Sequence, residues 1–324
     1  MSQPLVTIIS VNYNGVAITL DMLQSLQQVD YANVEIIVVD NGSKEDPSAI
    51  VKHFPKVKLI RSLVNLGFAG GNNLGITAAK GKYLLFLNND TEVEPDFLSP
   101  LVEAFENDSS VGVASPKILF YQSQGKKTIQ YAGSTGINPY TIRGAKIGSF
   151  EQDQGQYNQV RETALGHGAA MMIPMEVIQK VGLMPDIYFL YYEEHDWFEM
   201  IKRAGLKIWY VGTSVVYHKE SMTVGPNSPL RTYYMTRGRL LFTRRNTHGI
   251  QKLSSLLFFM LLSFPKNVLS HILKGEFRLM KAFMEGCLWH LRNSDVHRAP
   301  QLVSGGDQSP TVTNTSVPEH KYLK

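Results

Sequence analysis

The sequence predicts an α/β fold: a mostly parallel central sheet with helices on both faces, followed by a helical C-terminal extension. Three observations carry this. Strand-like and helix-like segments alternate as β-α-β-α-β-α-β over about the first 120 residues. The run Tyr83-Leu84-Leu85-Phe86-Leu87 is unbroken apolar and aromatic sequence, as in a strand buried on both faces. Two of the strands run into carboxylates, Asp40 directly and Asp90 after Asn88-Asn89, at the carboxyl edge where open α/β sheets take ligands.

The elements follow in order. Val6 to Asn12 reads as the first strand, and Ile18 to Gln27 has helical spacing. Glu35 to Asp40 is a strand, Asp46 to Phe54 a helix and Val57 to Arg61 a short strand. Gly67 to Lys80 opens glycine-rich and becomes helical before the strand at Tyr83. Pro95 to Asn107 reads as a helix and Val111 to Ile118 as a strand. Phe120 to Glu162, rich in Gln, Gly, Tyr and Thr, reads as loops with an antiparallel insertion. The apolar pattern resumes at Gly166 to Ile173, Met175 to Val181 is a helix, and Tyr188 to Ala204 passes from aromatics and acids into another. Lys207 to Tyr217 is a strand leading to His218. These patterns divide the chain into residues 1–229, with halves at about 1–118 and 119–229, a basic amphipathic helical extension at 230–294, and a polar tail at 295–324 expected to be disordered.

Charge and cysteine content narrow the function classes. The 44% hydrophobic content supplies a sizeable core, and a net charge of +4 is too small to imply nucleic acid. From Arg231 to Arg292 there are eleven Lys/Arg against Glu276 and Glu285, so the rest of the chain is net negative. The single cysteine, Cys287, excludes an intramolecular disulfide and a cysteine-rich zinc site, and fits a reducing compartment. The N-terminus lacks a basic region and enters a strand at once, so no signal peptide is expected. The longest apolar stretch, Leu253 to Phe264, has 12 residues and three serines, short of a bilayer span.

Several residues have chemistry to offer. Asp40, before Asn41-Gly42-Ser43, suits either a turn acid or an acceptor for a pyrimidine N3–H. The glycine-rich segment Asn65 to Gly75 lets backbone N–H groups approach a ligand, but matches neither the Walker A pattern nor the dinucleotide fingerprint. Asp90 is placed to hold Mg2+ or Mn2+ together with substrate phosphates, with Asn89 near ribose or a metal-bound water. In Tyr191-Tyr192-Glu193-Glu194-His195-Asp196-Trp197, aromatic shielding should raise a carboxylate pKa and create a general base; a dipole-favoured helix start is the simpler reading. His218 would complete a site with Asp90, and His167 lies in a tight turn where an acceptor or phosphate contact fits.

In this order the segments resemble the family 2 glycosyltransferases of the GT-A fold, especially bacterial rhamnosyltransferase-like members. The resemblance spans roughly Pro4 to Arg245. Its carriers are Val6 to Asn14, Val39-Asp40-Asn41-Gly42-Ser43, Asn65 to Asn73, Leu87-Asn88-Asn89-Asp90, Glu193-Glu194-His195-Asp196 and Val216-Tyr217-His218. The resemblance implies that Asn12, Asp40, Gly67, Asn73, Asn89 and Asp90 bind the nucleotide sugar. It implies Asp90 as the last carboxylate of the metal-binding DxD motif, His218 as a second metal ligand, and Glu194 as the base. Asn88 replaces the first acid of that motif, and Glu194 stands where Asp is usual, which keeps Asp196 in play.

The expected activity is therefore inverting, Mg2+- or Mn2+-dependent transfer of a sugar, rhamnose among them, from a UDP- or dTDP-sugar to a hydroxyl of a cell-surface glycan or lipid-linked acceptor. A non-catalytic nucleotide-sugar-binding protein of the same fold is the alternative. A sugar nucleotidyltransferase is disfavoured because Val6 to Gly15 has no Lys or Arg for a triphosphate. The stripe from residue 250 to 292 suits either an anionic membrane surface or a homodimer interface. The expected location is cytoplasmic, peripheral on the inner face of the membrane.

Overall fold

The computed structural model describes residues 3–121, 127–219 and 228–296. The first part alternates: β1 (Val6–Asn12), α1 (Val16–Leu26), β2 (Val34–Asn41), α2 (Ser48–His53), β3 (Lys58–Ser62), α3 (Gly67–Ala78) and β4 (Tyr83–Leu87). Next come β5 (Thr91–Val93), α4 (Leu98–Asn107), β6 (Val111–Phe120), β7 (Ile129–Tyr131), β8 (Val160–Glu162), β9 (Ala170–Pro174), α5 (Met175–Val181), α6 (Glu193–Arg203) and β10 (Lys207–His218). The C-terminal helices are α7 (Pro229–Asn246), α8 (Gly249–Phe258), α9 (Phe264–Leu273) and α10 (Phe277–Arg292).

The main sheet runs β3-β2-β1-β4-β9-β6-β10-β5. The strands β3, β2, β1 and β4 are parallel, as their βαβ connections require. The second half is mixed, against the expectation of a mostly parallel sheet. After β6 the chain makes its excursion on the carboxyl edge, so β9 starts there, with Ala170 beside Leu87, and runs back antiparallel to β4. The pair β6–β10 is parallel, and β5 pairs antiparallel with the end of β10, His218 opposite Thr91.

The sheet buries both faces, and β4 shows how the pleat divides them. Tyr83, Leu85 and Leu87 join one cluster with Met22 and Leu23 of α1 and Leu101 of α4. Leu84 and Phe86 join the other with Ile76 of α3, Ile178 of α5 and Trp197 of α6. In β10 the residues between Val211 and Val215 slip out of register with β6, and Ser214 there donates to the Phe97 carbonyl at 2.6 Å. This irregularity lets one strand serve two partners and deliver His218 to the edge.

The basic C-terminal region is built differently from the simple basic stripe expected. Arg237 in α7 is 5% exposed. It lies 4.2 Å over the Trp289 ring of α10 and donates to the Ile187 carbonyl. Arg244 donates to the carbonyls of Asn293 at 2.8 Å and Ser294 at 3.0 Å. Part of the positive surplus thus holds helices together. Gly286 of α10 sits so close to α7 that a Cβ there would come 2.8 Å from the Tyr233 carbonyl. The expected tail begins at 295, yet Val296 is buried beside Leu241 and Phe242; residues 297–324 lie outside the described residues.

A second correction concerns the apolar stretch. Pro265 does not end the helix: α8, a π-helical turn (Phe259–Ser263) and α9 run as one helix over Gly249–Leu273. The widened turn precedes the proline and absorbs the ring that would otherwise clash with a carbonyl four residues back. By length and composition this 25-residue helix is sufficient to cross a membrane, unlike the 12-residue run read from sequence.

Candidate active site

Three parallel strands end at one edge and their polar termini are wired together. Asn12 at the end of β1 donates from Nδ2 to Asp40 Oδ1 of β2 at 2.8 Å. Its Oδ1 accepts the Thr19 hydroxyl at 3.0 Å, and Thr19 Oγ1 in turn accepts Asn89 Nδ2 at 3.0 Å. The chain Asp40–Asn12–Thr19–Asn89, buried up to the half-buried Asn89, fixes the carboxylate of β2 relative to the turn after β4. Such a network is stable because its members satisfy one another. Register explains the proximity, since Asn12 and Asp40 are direct partners in the β1–β2 ladder.

Asp90 follows in the same turn and is 9% exposed. His218, at the end of β10, brings Nε2 to 3.2 Å from Asp90 Oδ1. The opposite ring nitrogen, Nδ1, lies 2.9 Å from Gln130 Oε1, an acceptor; in the neutral tautomer with its proton on Nδ1, the Nε2 lone pair faces the carboxylate. Asp90 Oδ1 consequently has no hydrogen-bond partner although it is buried. Two lone-pair donors facing one another across 3.2 Å, one of them unsatisfied, fit a divalent cation. No cluster of three His, Cys, Asp or Glu side chains exists among the described residues, so the remaining ligands would be phosphate and water oxygens.

Glu193 and Glu194 open α6 just after Tyr191 and Tyr192, both held at positive φ of 65° and 75°. Burial, and then the charge of Glu194, push the Glu193 carboxyl well above its ordinary range. Burial acts upward on Glu194 too, but the neighbouring His195, the Glu194 backbone N–H and Lys146 outweigh it and hold the group below that range. The environments of the two adjacent carboxyls thus push their pKa values apart, Glu193 upward and Glu194 downward. Glu194 Oε1 lies 3.2 Å from His195 Nδ1, while its Oε2 has no partner. The expectation of a carboxyl raised by shielding holds for Glu193; at Glu194 desolvation is the largest single influence, but His195, the backbone and Lys146 together outweigh it and the net direction is downward.

His167 joins the two ends. Its ring centroid is 6.1 Å from that of His218, and its Nε2 is 2.9 Å from Lys146 Nζ. Burial, followed by the charges of Lys146, His218 and His195, drives its pKa well down, so the ring is neutral. Beside it a Cβ on Gly168 would stand 3.5 Å from Glu194 Oε1, which puts the turn against that carboxylate.

The Glycosyl transferase family 2 model matches residues 7–182, more than half of the sequence and most of the sheet. The chain belongs to glycosyl transferase family 2. Among curated relatives of this family member, the low-salt glycan biosynthesis hexosyltransferase Agl10 of Haloferax volcanii is 26% identical over 62% of this chain and 63% of its own. The poly-beta-1,6-N-acetyl-D-glucosamine synthase of Staphylococcus epidermidis is 31% identical over 38% of this chain and 32% of its own. The chain thus spans less than two thirds of the length of these relatives.

Solved structures give the fold of this family member. It resembles GalNAc-T7, solved with UDP, GalNAc and Mn2+, at a TM-score of 0.57 and 17% identity over 78% of this chain and 54% of that one. It resembles the mannosyltransferase PcManGT of Pyrobaculum calidifontis, solved with GDP-Man and Mn2+, at 0.55 and 14% identity over 90% and 76%. The fold is GT-A, as the motif order implied.

Not every residue singled out in the sequence faces the site. Asp196 is fully buried, accepts Arg245 Nε on one oxygen and Asn246 Nδ2 at 2.8 Å on the other, and ties α6 to α7. It is therefore a structural anchor, not a base. Asn73 is likewise committed: its Nδ2 donates to the Met184 carbonyl at 2.8 Å and its Oδ1 accepts the Met184 N–H at 3.1 Å. Gly67, at φ +74°, is needed for packing, since a Cβ there would fall 2.2 Å from the Phe189 carbonyl. Gln130 and Lys146 were missed altogether. Both come from the Gln- and Gly-rich stretch whose pairing is non-local, and no local pattern marks them.

Proposed function

We propose that the chain transfers a hexosyl group, with inversion, from a UDP- or dTDP-sugar to a hydroxyl of a glycan or lipid-linked acceptor, using Mg2+ or Mn2+. The observation that carries this reading is geometric: Glu194, whose Oε2 is unpartnered, lies beside the turn at Gly168, whose neighbour His167 reaches His218 and, through it, Asp90. Glu194 takes the acceptor proton as the oxygen attacks the anomeric carbon. The new C–O bond forms on one face while the bond to the diphosphate oxygen breaks on the other, and the electron pair leaves with the nucleoside diphosphate. A cation held by Asp90 and His218 would offset charge on that leaving group. The Asp40–Asn12 pair is the proposed contact for the pyrimidine N3–H, and Asn89 for the ribose. Rhamnose is the sugar favoured by the motif order, and the lone Cys287 supports a cytoplasmic setting.

The test is Glu194→Gln. Release of nucleoside diphosphate in the presence of acceptor should fall about 10²–10⁴-fold with donor affinity retained. Unchanged turnover contradicts the assignment. The alternative, a non-catalytic binder, draws on Asn88, which leaves one acid in the DxD-like turn. A wild-type protein that binds donor with metal yet releases no diphosphate with any acceptor would favour it.

A further inference from the structure

The helix Gly249–Leu273 is the most exposed apolar element among the described residues. Only 11% of its most apolar 18-residue window is buried. A narrow line of Ser255, Phe259 and Ser263 faces the protein. Leu253, Leu257, Met260, Leu261, Leu262 and Leu269 are 46–68% exposed on the remaining surface. Isolated exposed leucines are ordinary, but a contiguous face of this size marks an interaction surface.

The flanking charge identifies the occupant. Lys266, Lys274, Arg278 and Lys281 are all exposed, interleaved with exposed Ile272, Leu273 and Phe277. Only Glu276 and Glu285 are acidic between Gly249 and Arg292, and Glu276 is taken up by His271 at 3.0 Å. An apolar face bordered by cations fits anionic lipid headgroups over acyl chains.

The helix does not run across the bilayer. Its middle is clamped to α10, with the Phe259 and Phe264 rings 6.2 and 5.6 Å from Phe283. The elements at its two ends, α7 and α10, pack directly on one another through Arg237, Trp289 and Gly286. A helix of 25 residues is about 38 Å long, so a transbilayer course would place α7 and α10 on opposite sides and break that packing.

We infer that Gly249–Leu273 and the start of α10 seat the protein in the interface of an anionic membrane, lying parallel to its surface. The seat adjoins the base side of the site. Arg143 stacks 4.8 Å from the Phe258 ring, and Arg239 lies 5.5 Å from that of Phe259 while donating to the Thr141 carbonyl at 2.7 Å. The same loop continues to Lys146, which touches His167. If Glu194 is the base, the bilayer flanks the acceptor side, a placement that rests on the proposed function and suits an acceptor carried on lipid.

The experiment is flotation of the full chain with phosphatidylcholine vesicles with and without phosphatidylglycerol. Binding should require the anionic lipid, weaken with salt and be released by alkaline carbonate. Leu257→Glu/Leu261→Glu should abolish it, and Lys274→Glu/Arg278→Glu/Lys281→Glu should weaken it about tenfold or more. All five residues are exposed, so melting temperature and turnover of a soluble acceptor should hold. The inference is overturned if anionic vesicles leave the protein unbound, if the substitutions do not matter, or if carbonate fails to release it. A concentration-dependent dimer lost in Leu257→Glu/Leu261→Glu, without vesicle binding, would assign the face to a second copy instead. Flotation needs no turnover, so its failure is separate from failure of the catalytic reading.

Discussion

The His218 imidazole presents Nε2 to Asp90 Oδ1 across 3.2 Å, although the two residues are 128 positions apart in the chain. Gln130 bears on this contact, because its acceptor 2.9 Å from Nδ1 suits the tautomer with the ring proton on the far side. In that tautomer no proton lies between His218 and Asp90, and a shared cation would draw the two together.

Gln130→Leu should therefore weaken Mn2+ binding about 10–100-fold while leaving the fold intact. The substitution removes the acceptor and lets the ring turn its proton toward Asp90. Titration of Mn2+ followed by electron paramagnetic resonance, with UDP present, reads this directly. Unchanged affinity would mean that the tautomer does not depend on Gln130.

Glu193→Gln should make the protein more stable at neutral and alkaline pH. The folded state raises the Glu193 carboxyl above its ordinary value of 4.5. Its stabilising contribution is full below that value and is lost as pH rises through the folded pKa. A glutamine is neutral throughout and loses nothing. Melting curves across pH should coincide in acid and diverge upward for the variant above the ordinary carboxyl range.

Asp196→Ala and Glu194→Gln should separate structure from chemistry. Removing Asp196 strips Arg245 of its buried carboxylate partner, a change that costs about 3–5 kcal/mol. The loss appears in chemical denaturation. Glu194→Gln should cost less in denaturation than Asp196→Ala, since it gives up the Oε1 pair with His195 while Oε2 has no partner to lose, and should act chiefly on turnover.

Gly67→Ala should destabilise the protein by about 1–3 kcal/mol or more, through positive φ and a Cβ too near the Phe189 carbonyl. Donor affinity, measured well below the melting temperature, should change less than stability does. A variant as stable as wild type would show that the contact between α3 and Phe189 relaxes freely.

The sequence carried most of the first half of the sheet, because βαβ units are local and each apolar run has room for one strand. Tyr83–Leu87 and Met175–Val181 match their expected bounds. The mixed second half was less legible. The direction of β9 depends on where the chain returns from its excursion, and no residue pattern encodes that edge. In the candidate site, the placement of Asp90, His218 and Glu194 was legible because their motifs sit at element ends. Asn73 and Asp196 had the right residue types, but their partners, Met184 and Arg245, become visible only in three dimensions. The helix Gly249–Leu273 was obscured by Pro265, whose cost is absorbed by the π-helical turn before it.

Calorimetric titration of the protein with UDP- and dTDP-sugars, with and without Mn2+, tests the central claim of a metal-dependent nucleotide-sugar site most directly. A pyrimidine diphosphate sugar should bind only with the metal present, and Asp90→Asn should abolish that metal requirement together with most of the affinity. Equal binding in EDTA, or no binding of any nucleotide sugar, would contradict it.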